Sequence, residues 1–196
     1  MIPLIFLVVV IALVFFYFIG LYNRLVELRN HYRNAYTQID IQLKRRYDLI
    51  PNLVESTKAY LVHERTTLDA VIRARNSALQ ASNLAASSPG SNTAMAGLIR
   101  AEESLSGVLG RLLAVVESYP DLKANQTVSQ LMEELTSTEN KIGFARQAFN
   151  DAVTAYNIFR EKFPNSLVSS SFNFDGAALL QAVEKEAERA APEVKF

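Results

Sequence analysis

The sequence predicts an all-α protein, an N-terminal transmembrane helix followed by a long antiparallel helical bundle. Three observations carry that expectation. The first twenty or so residues are apolar and uncharged, apolar positions beyond them recur in steps of three and four, and the seven Gly and six Pro of the 196 residues fall in few places.

The run Ile2 to Leu21, IPLIFLVVVIALVFFYFIGL, holds no charged side chain. Twenty helical residues cover about 30 Å, the thickness of a bilayer's hydrocarbon core. A helix satisfies its own backbone hydrogen bonds there, and Pro3 lies in the first turn, where a missing N–H costs little. Tyr17 and Tyr22 fall towards the far end, where amphipathic rings favour the interface. A cleaved secretory signal would need a basic leading region, a shorter apolar run and a small-residue exit, whereas this exit reads Gly20-Leu21-Tyr22-Asn23-Arg24. Arg24, Arg29 and Arg33 follow the span closely, which predicts the N-terminus outside and the rest of the chain in the cytoplasm.

The seam continues through Leu21, Leu25, Leu28, Tyr32, Ala35, Ile39, Leu43 and Ile50, so the membrane helix runs on past the bilayer. Proline removes a backbone donor and crowds the residue before it, so Pro51 is expected to interrupt this helix. A second seam of Val54, Thr57, Leu61, Leu68, Val71, Ile72, Ala78 and Leu79 stays in phase with the first, leaving a hairpin or a kink at Pro51. The stretch from Ala81 to Thr93, with Pro89-Gly90, is expected to be a loop. Leu98, Ala101, Leu105, Leu109, Leu112 and Val116 mark a third helix; its Gly107 and Gly110 predict close approach of a neighbour.

Tyr119-Pro120-Asp121 ends the third helix, and Thr127 with Gln130 has the spacing of a capping box for a fourth. The fourth seam is the most regular: Val128, Leu131, Leu135, Thr138, Ile142, Ala145, Phe149, Ala152, Tyr156, Phe159 and Phe163, stopped by Pro164. Beyond it, Ser169 to Ser171 lead into Phe172 and Phe174, and Asp175 is placed to cap a short Ala- and Glu-rich helix ending by Pro192. The expected domains are therefore an anchor over 1–22, a bundle over 23–165 and a peripheral tail over 166–196.

Composition narrows the function. Lys and Arg total 20 and Asp and Glu total 20, so the basic excess that neutralises nucleic-acid phosphates is missing and nucleic acid is not an expected partner. Without cysteine there are no disulfides, thiolate nucleophiles or thiolate metal sites. His63-Glu64 begins like a zinc motif, but Thr67 stands where HExxH needs its second histidine. Neither His31 nor His63 has a Glu three places before it, as a di-iron bundle requires. No G-x-S-x-G elbow, P-loop or G-x-G-x-x-G occurs. The expectation is a chain that is not an enzyme, with no catalytic residue, cofactor or metal.

Interaction residues are the remaining candidates. Lys44-Arg45-Arg46 lies over twenty residues past the membrane, a distance at which lipid phosphates are screened, and reads as a solvated face or a pairing site for Asp40, Asp48 and carboxylates on another helix. Glu139, Asn140 and Arg146 flank the fourth seam as register-setting polar groups or ordinary surface. Lys44, Arg45, Arg46, Asp48, Pro51, Glu139, Asn140 and Arg146 are accordingly the expected contact set. The expected partners are lipid along residues 2–21 and a protein or a second copy of the chain. The alternative function is binding of a lipid or small apolar ligand between the helices.

The segment Gln42-Leu43-Lys44-Arg45-Arg46-Tyr47-Asp48-Leu49-Ile50-Pro51-Asn52-Leu53-Val54 resembles the hallmark of the LemA family. So do Tyr119 to Asn125, Glu134 to Ile142, Ala145 to Asn150, Tyr156-Asn157, Phe163-Pro164-Asn165 and the closing Pro192 to Phe196. The resemblance implies a membrane helix with its short end outside, a cytoplasmic up-and-down four-helix bundle and a hairpin at Pro51. It supplies no established activity and no catalytic residue; the anchor, the extended seams and the missing site lead instead to the expectation of a non-catalytic membrane-anchored scaffold or interaction protein. Two positions depart from the family's pattern: Phe149 stands where a tyrosine is usual, which removes a hydroxyl contact, and Ser170 to Glu186 lack a Gly-Phe-Lys-Pro-like segment.

Overall fold

The computed structural model describes residues 2–180, all of whose regular elements are helical. Four long helices form an up-and-down bundle: α1 (Ile2–Lys58), α2 (Arg65–Ser87), α3 (Asn92–Glu117) and α5 (Gln126–Glu161). Two short ones, α4 (Pro120–Lys123) and α6 (Asn165–Ser171), close the connection before α5 and follow its end.

Helix α1 has two environments along one rod. Residues 2–20 are all exposed and project from the bundle. From Leu25 onward a stripe of Leu25, Tyr32, Tyr36, Ile39, Leu43, Tyr47, Ile50 and Leu53 is buried. The N-terminal stretch is long and apolar enough to cross a membrane, with none of it covered by protein.

The chain does not turn at Pro51. Helix α1 passes through it to Lys58, and the reversal comes at residues 59–64. Val54 and Thr57 therefore belong to α1, and Leu61 is buried in the turn. The missing proline N–H leaves the Tyr47 carbonyl without its helical donor, and Arg75 Nε of α2 donates to that oxygen at 3.0 Å. A cross-helix bond thus fills the place of the lost intrahelical one. His63 is exposed in the turn and Glu64 immediately precedes α2.

Three further local expectations change. Helix α2 continues to Ser87, so the loop shrinks to the few residues around Gly90, which adopts φ +86°. Asn125, not Thr127, caps α5: its side chain accepts from the N–H groups of Thr127 and Val128 at 3.0 and 3.2 Å. Around Gly107 and Gly110 there is open space, so neither marks a close helix approach.

The core is layered by two pairings. Helix α1 packs chiefly along α5, and α2 along α3, with α1 and α2 joining the pairs. Tyr32, Tyr36, Phe149 and Tyr156 form an aromatic cluster between α1 and α5, with ring centroids 5.2 to 6.3 Å apart. Between α3 and α5 lies a groove of about 380 Å³ walled by Leu109, Leu113, Met132 and Leu135. Phe163, the last expected seam residue, falls after the end of α5 and is 81% exposed.

Candidate functional site

The most concentrated chemistry sits where α1, α3 and α5 face one another. Arg46 is 4% exposed, on the inward side of α1. Its guanidinium donates to Glu102 Oε2 of α3 at 2.9 Å and to Ser106 Oγ at 2.9 Å, and it pairs with Glu139 Oε2 of α5 at 2.9 Å. One cation therefore ties three helices together, using the planar fork that only arginine offers. The Tyr47 hydroxyl donates to the other Glu102 oxygen at 2.5 Å.

Glu102 is 6% exposed. Burial raises its pKa above the usual carboxylate value, and Arg46 and the Tyr47 hydrogen bond offset that rise in part. Burial and the neighbouring Glu102 charge push the Tyr47 hydroxyl far up, so it stays protonated and remains a donor. Arg146 lines a small hollow beside the cluster, together with Glu102, Glu139 and Leu180.

The other expected contact residues are dispersed around this centre. Lys44 reaches back to Asp40 at 2.7 Å, and Arg45 meets Glu134 of α5 at 3.6 Å with both side chains about half exposed. Asp48 lies 3.8 Å from Arg75 of α2 and is largely solvated. Asn140 is exposed on the wall of the α3–α5 groove. The basic run is thus a junction rather than one solvated face: Lys44 pairs within α1, Arg45 with α5, and Arg46 is swallowed.

A second constellation lies along α5. The segment 173–180 is not helical, and the helix expected after Asp175 does not begin by Leu180; residues 181–196, with the rest of that expected helix, lie outside the described residues. Asn157 holds Ala177 by both backbone groups, donating to its carbonyl at 2.8 Å and accepting from its N–H at 3.0 Å. Asn150 does the same to Leu180, at 3.3 and 2.8 Å. Seven helical residues rise about 10.5 Å and three extended residues span about 10 Å, so two asparagines a heptad apart match every third residue of an extended chain. Tyr156 donates to the Asp175 carbonyl at 2.8 Å, and the Gly90 carbonyl accepts from Ala178 N–H at 2.7 Å. A Cβ at Gly90 would come within 3.0 Å of the Ala177 Cβ. Phe174 is buried against Tyr22, and Arg29 lies over its ring at 4.8 Å.

A family model described as LemA family matches residues 35–196. The chain belongs to the LemA family. The match covers the buried cluster, the asparagine pair and the tail. This LemA-family chain is 25% identical to Protein LemA of Metamycoplasma hominis over 183 residues, 93% of its own length and 79% of that protein's. It is 24% identical over 158 residues to Magnetosome protein MamQ of Magnetospirillum gryphiswaldense, covering 73% of its own length and 58% of that protein's. Magnetosome protein MamQ 2 of Paramagnetospirillum magneticum is 33% identical over 84 residues, 43% of this chain and 31% of that protein.

Sequence reasoning missed Glu102, Tyr47, Ser106 and Arg75 as partners and gave no role to Asn150 and Asn157. Two signals were present. The steps Leu98, Glu102, Leu105, Leu109, Leu112 and Val116 keep the four–three rhythm that Ala101 breaks, placing a carboxylate in the core. Asn150 and Asn157 each follow a buried aromatic, Phe149 and Tyr156, at heptad spacing.

Proposed function

We propose that the protein is a non-catalytic, membrane-anchored scaffold that acts by presenting helical surface to another protein or to a second copy of itself. The observation that carries this reading is α1 itself: 57 residues of one helix whose first part is bare and apolar and whose remainder is the central rod of the bundle. The charged cluster supports a structural rather than a reactive role, because Arg46 is consumed by Glu102, Glu139 and Ser106. In this reading the N-terminus lies outside, by the arginines that follow the span, and the bundle is cytoplasmic. Phe144 of α5 and Ile41 of α1, 75% and 49% exposed, are among the apolar side chains offered to a partner.

A photo-reactive residue in place of Phe144, activated in intact membranes, tests the contact. Discrete cross-linked adducts are expected; monomer alone under several growth conditions argues against a scaffold. The α3–α5 groove favours a second reading, an apolar ligand held against Leu109, Leu113, Met132 and Leu135 with a polar end near Arg46 and Glu139. Lipid that co-purifies with the wild type and is lost from Leu109→Arg would support it.

A further inference from the structure

We propose that the membrane-proximal end of the bundle enters the lipid interface through Phe163, Leu167 and Phe172, a second, peripheral contact beside the anchor. The inference rests on the anchored reading of α1.

Helix α5 runs antiparallel to α1, so its C-terminal end returns to the level at which α1 leaves its apolar run. The Phe172 ring lies 5.0 Å from that of Tyr22, the residue directly after the run, which fixes the height of this patch on the molecule. Phe163, Leu167 and Phe172 are 81%, 52% and 59% exposed. The opposite side of α6 is held down: Asn165, Val168 and Ser169 are buried, Asn165 Nδ2 donates to the Phe159 carbonyl at 2.9 Å, and Ser169 Oγ to the Arg160 carbonyl at 3.1 Å. The apolar side therefore has no way to rotate inwards.

Three large apolar side chains within ten residues, fixed outward in water, would be costly. At the height of Tyr22 they do not face bulk water but the headgroup zone, where amphipathic elements bury an apolar face to a depth of about 5–10 Å. Continuity with the anchor selects lipid over protein as the occupant. Lys162 adjoins Phe163 in sequence, and Arg24, paired with Glu27 at 2.7 Å, lies two residues past Tyr22; long side chains of this kind can hold a charge at headgroup level while their stems stay apolar.

The chain has no tryptophan, so one introduced indole reports one place. The full-length protein would be reconstituted in vesicles as Phe163→Trp, Phe172→Trp, Ile11→Trp and Phe144→Trp. The vesicles would contain phospholipid brominated either near the glycerol or in the middle of the acyl chain. Expected are quenching of Phe163→Trp and Phe172→Trp by the shallow bromines, quenching of Ile11→Trp by the deep ones, and an unquenched, red-shifted Phe144→Trp. If Phe163→Trp and Phe172→Trp behave like Phe144→Trp while Ile11→Trp is quenched, the second contact is overturned and the anchor stands. An unquenched Ile11→Trp overturns the anchor, and the proposal with it. Quenching of Phe144→Trp as well would mean that the bundle lies along the bilayer, which also overturns the proposal.

Discussion

Arg46 is buried because carboxylates from two other helices converge on it, and each member of the cluster depends on the others. Removing one partner strands a buried charge, whereas removing both replaces a desolvated pair with packing. Arg46→Met is therefore expected to cost about 3–5 kcal/mol of stability, and the double change Arg46→Met with Glu102→Leu to recover most of it. Urea unfolding of the detergent-solubilised protein, followed by circular dichroism, measures both. The raised pKa of Glu102 gives a pH signature. A carboxyl that binds its proton more tightly folded than unfolded makes stability fall as pH rises from the unfolded value through the folded one, with the full penalty present only above the folded value. Glu102→Gln should abolish that contribution, so wild-type minus variant stability should decline with rising pH from about 4.5 upward; a flat difference would contradict the assignment. The charges of Lys44 to Arg46 were legible in the sequence, but which one turns inward was not. Inward orientation follows from the phase of the seam, and Arg46 lies one residue before the buried Tyr47 on a stripe wide enough to include both.

Among the elements, α1 and the tail departed furthest from expectation. Helix length, the apolar run and the four long rods follow from periodicity, so they could be read directly. Pro51 misleads because its cost is local and can be met from outside the helix: Arg75, 28 residues on from Tyr47 in the turned-back chain, supplies the donor. Arg75→Met is expected to cost about 1–3 kcal/mol by orphaning the Tyr47 carbonyl. The same change should cost less in a Pro51→Ala background, where residue 51 gains an N–H for that carbonyl; a double-mutant cycle in urea reads the difference. The tail was unreadable for another reason: extended chain fixed by side chains leaves no periodic signal. Asn157→Ala removes both bonds to Ala177 and should expose the Ala177 and Ala178 amides to hydrogen exchange, lowering the local opening free energy by about 1–3 kcal/mol. Unchanged protection would mean that the segment is held without Asn157, by the Asn150, Tyr156 and Gly90 bonds and the packing of Phe174 and Leu180.

At the scale of the whole molecule, one rod has two surroundings, bare at its apolar start and packed within the bundle beyond it. The part of α1 that packs on α5 holds the bundle together, and residues 2–20 have no protein around them. Composition, seams and span made that division visible before any coordinates; the groove between α3 and α5 was invisible, since a seam gives a helix's inward face but not its distance from the next helix. The absence of cysteine makes orientation accessible: Ser129→Cys, on the exposed side of α5, should resist a membrane-impermeant maleimide in intact cells and react after permeabilisation. The most direct measurement is flotation of membranes in a lipid density gradient after alkaline carbonate extraction. The full chain should float with lipid while the chain beginning at Tyr22 stays at the bottom. Full-length protein released from the lipid fraction would contradict an α1 that begins in the bilayer.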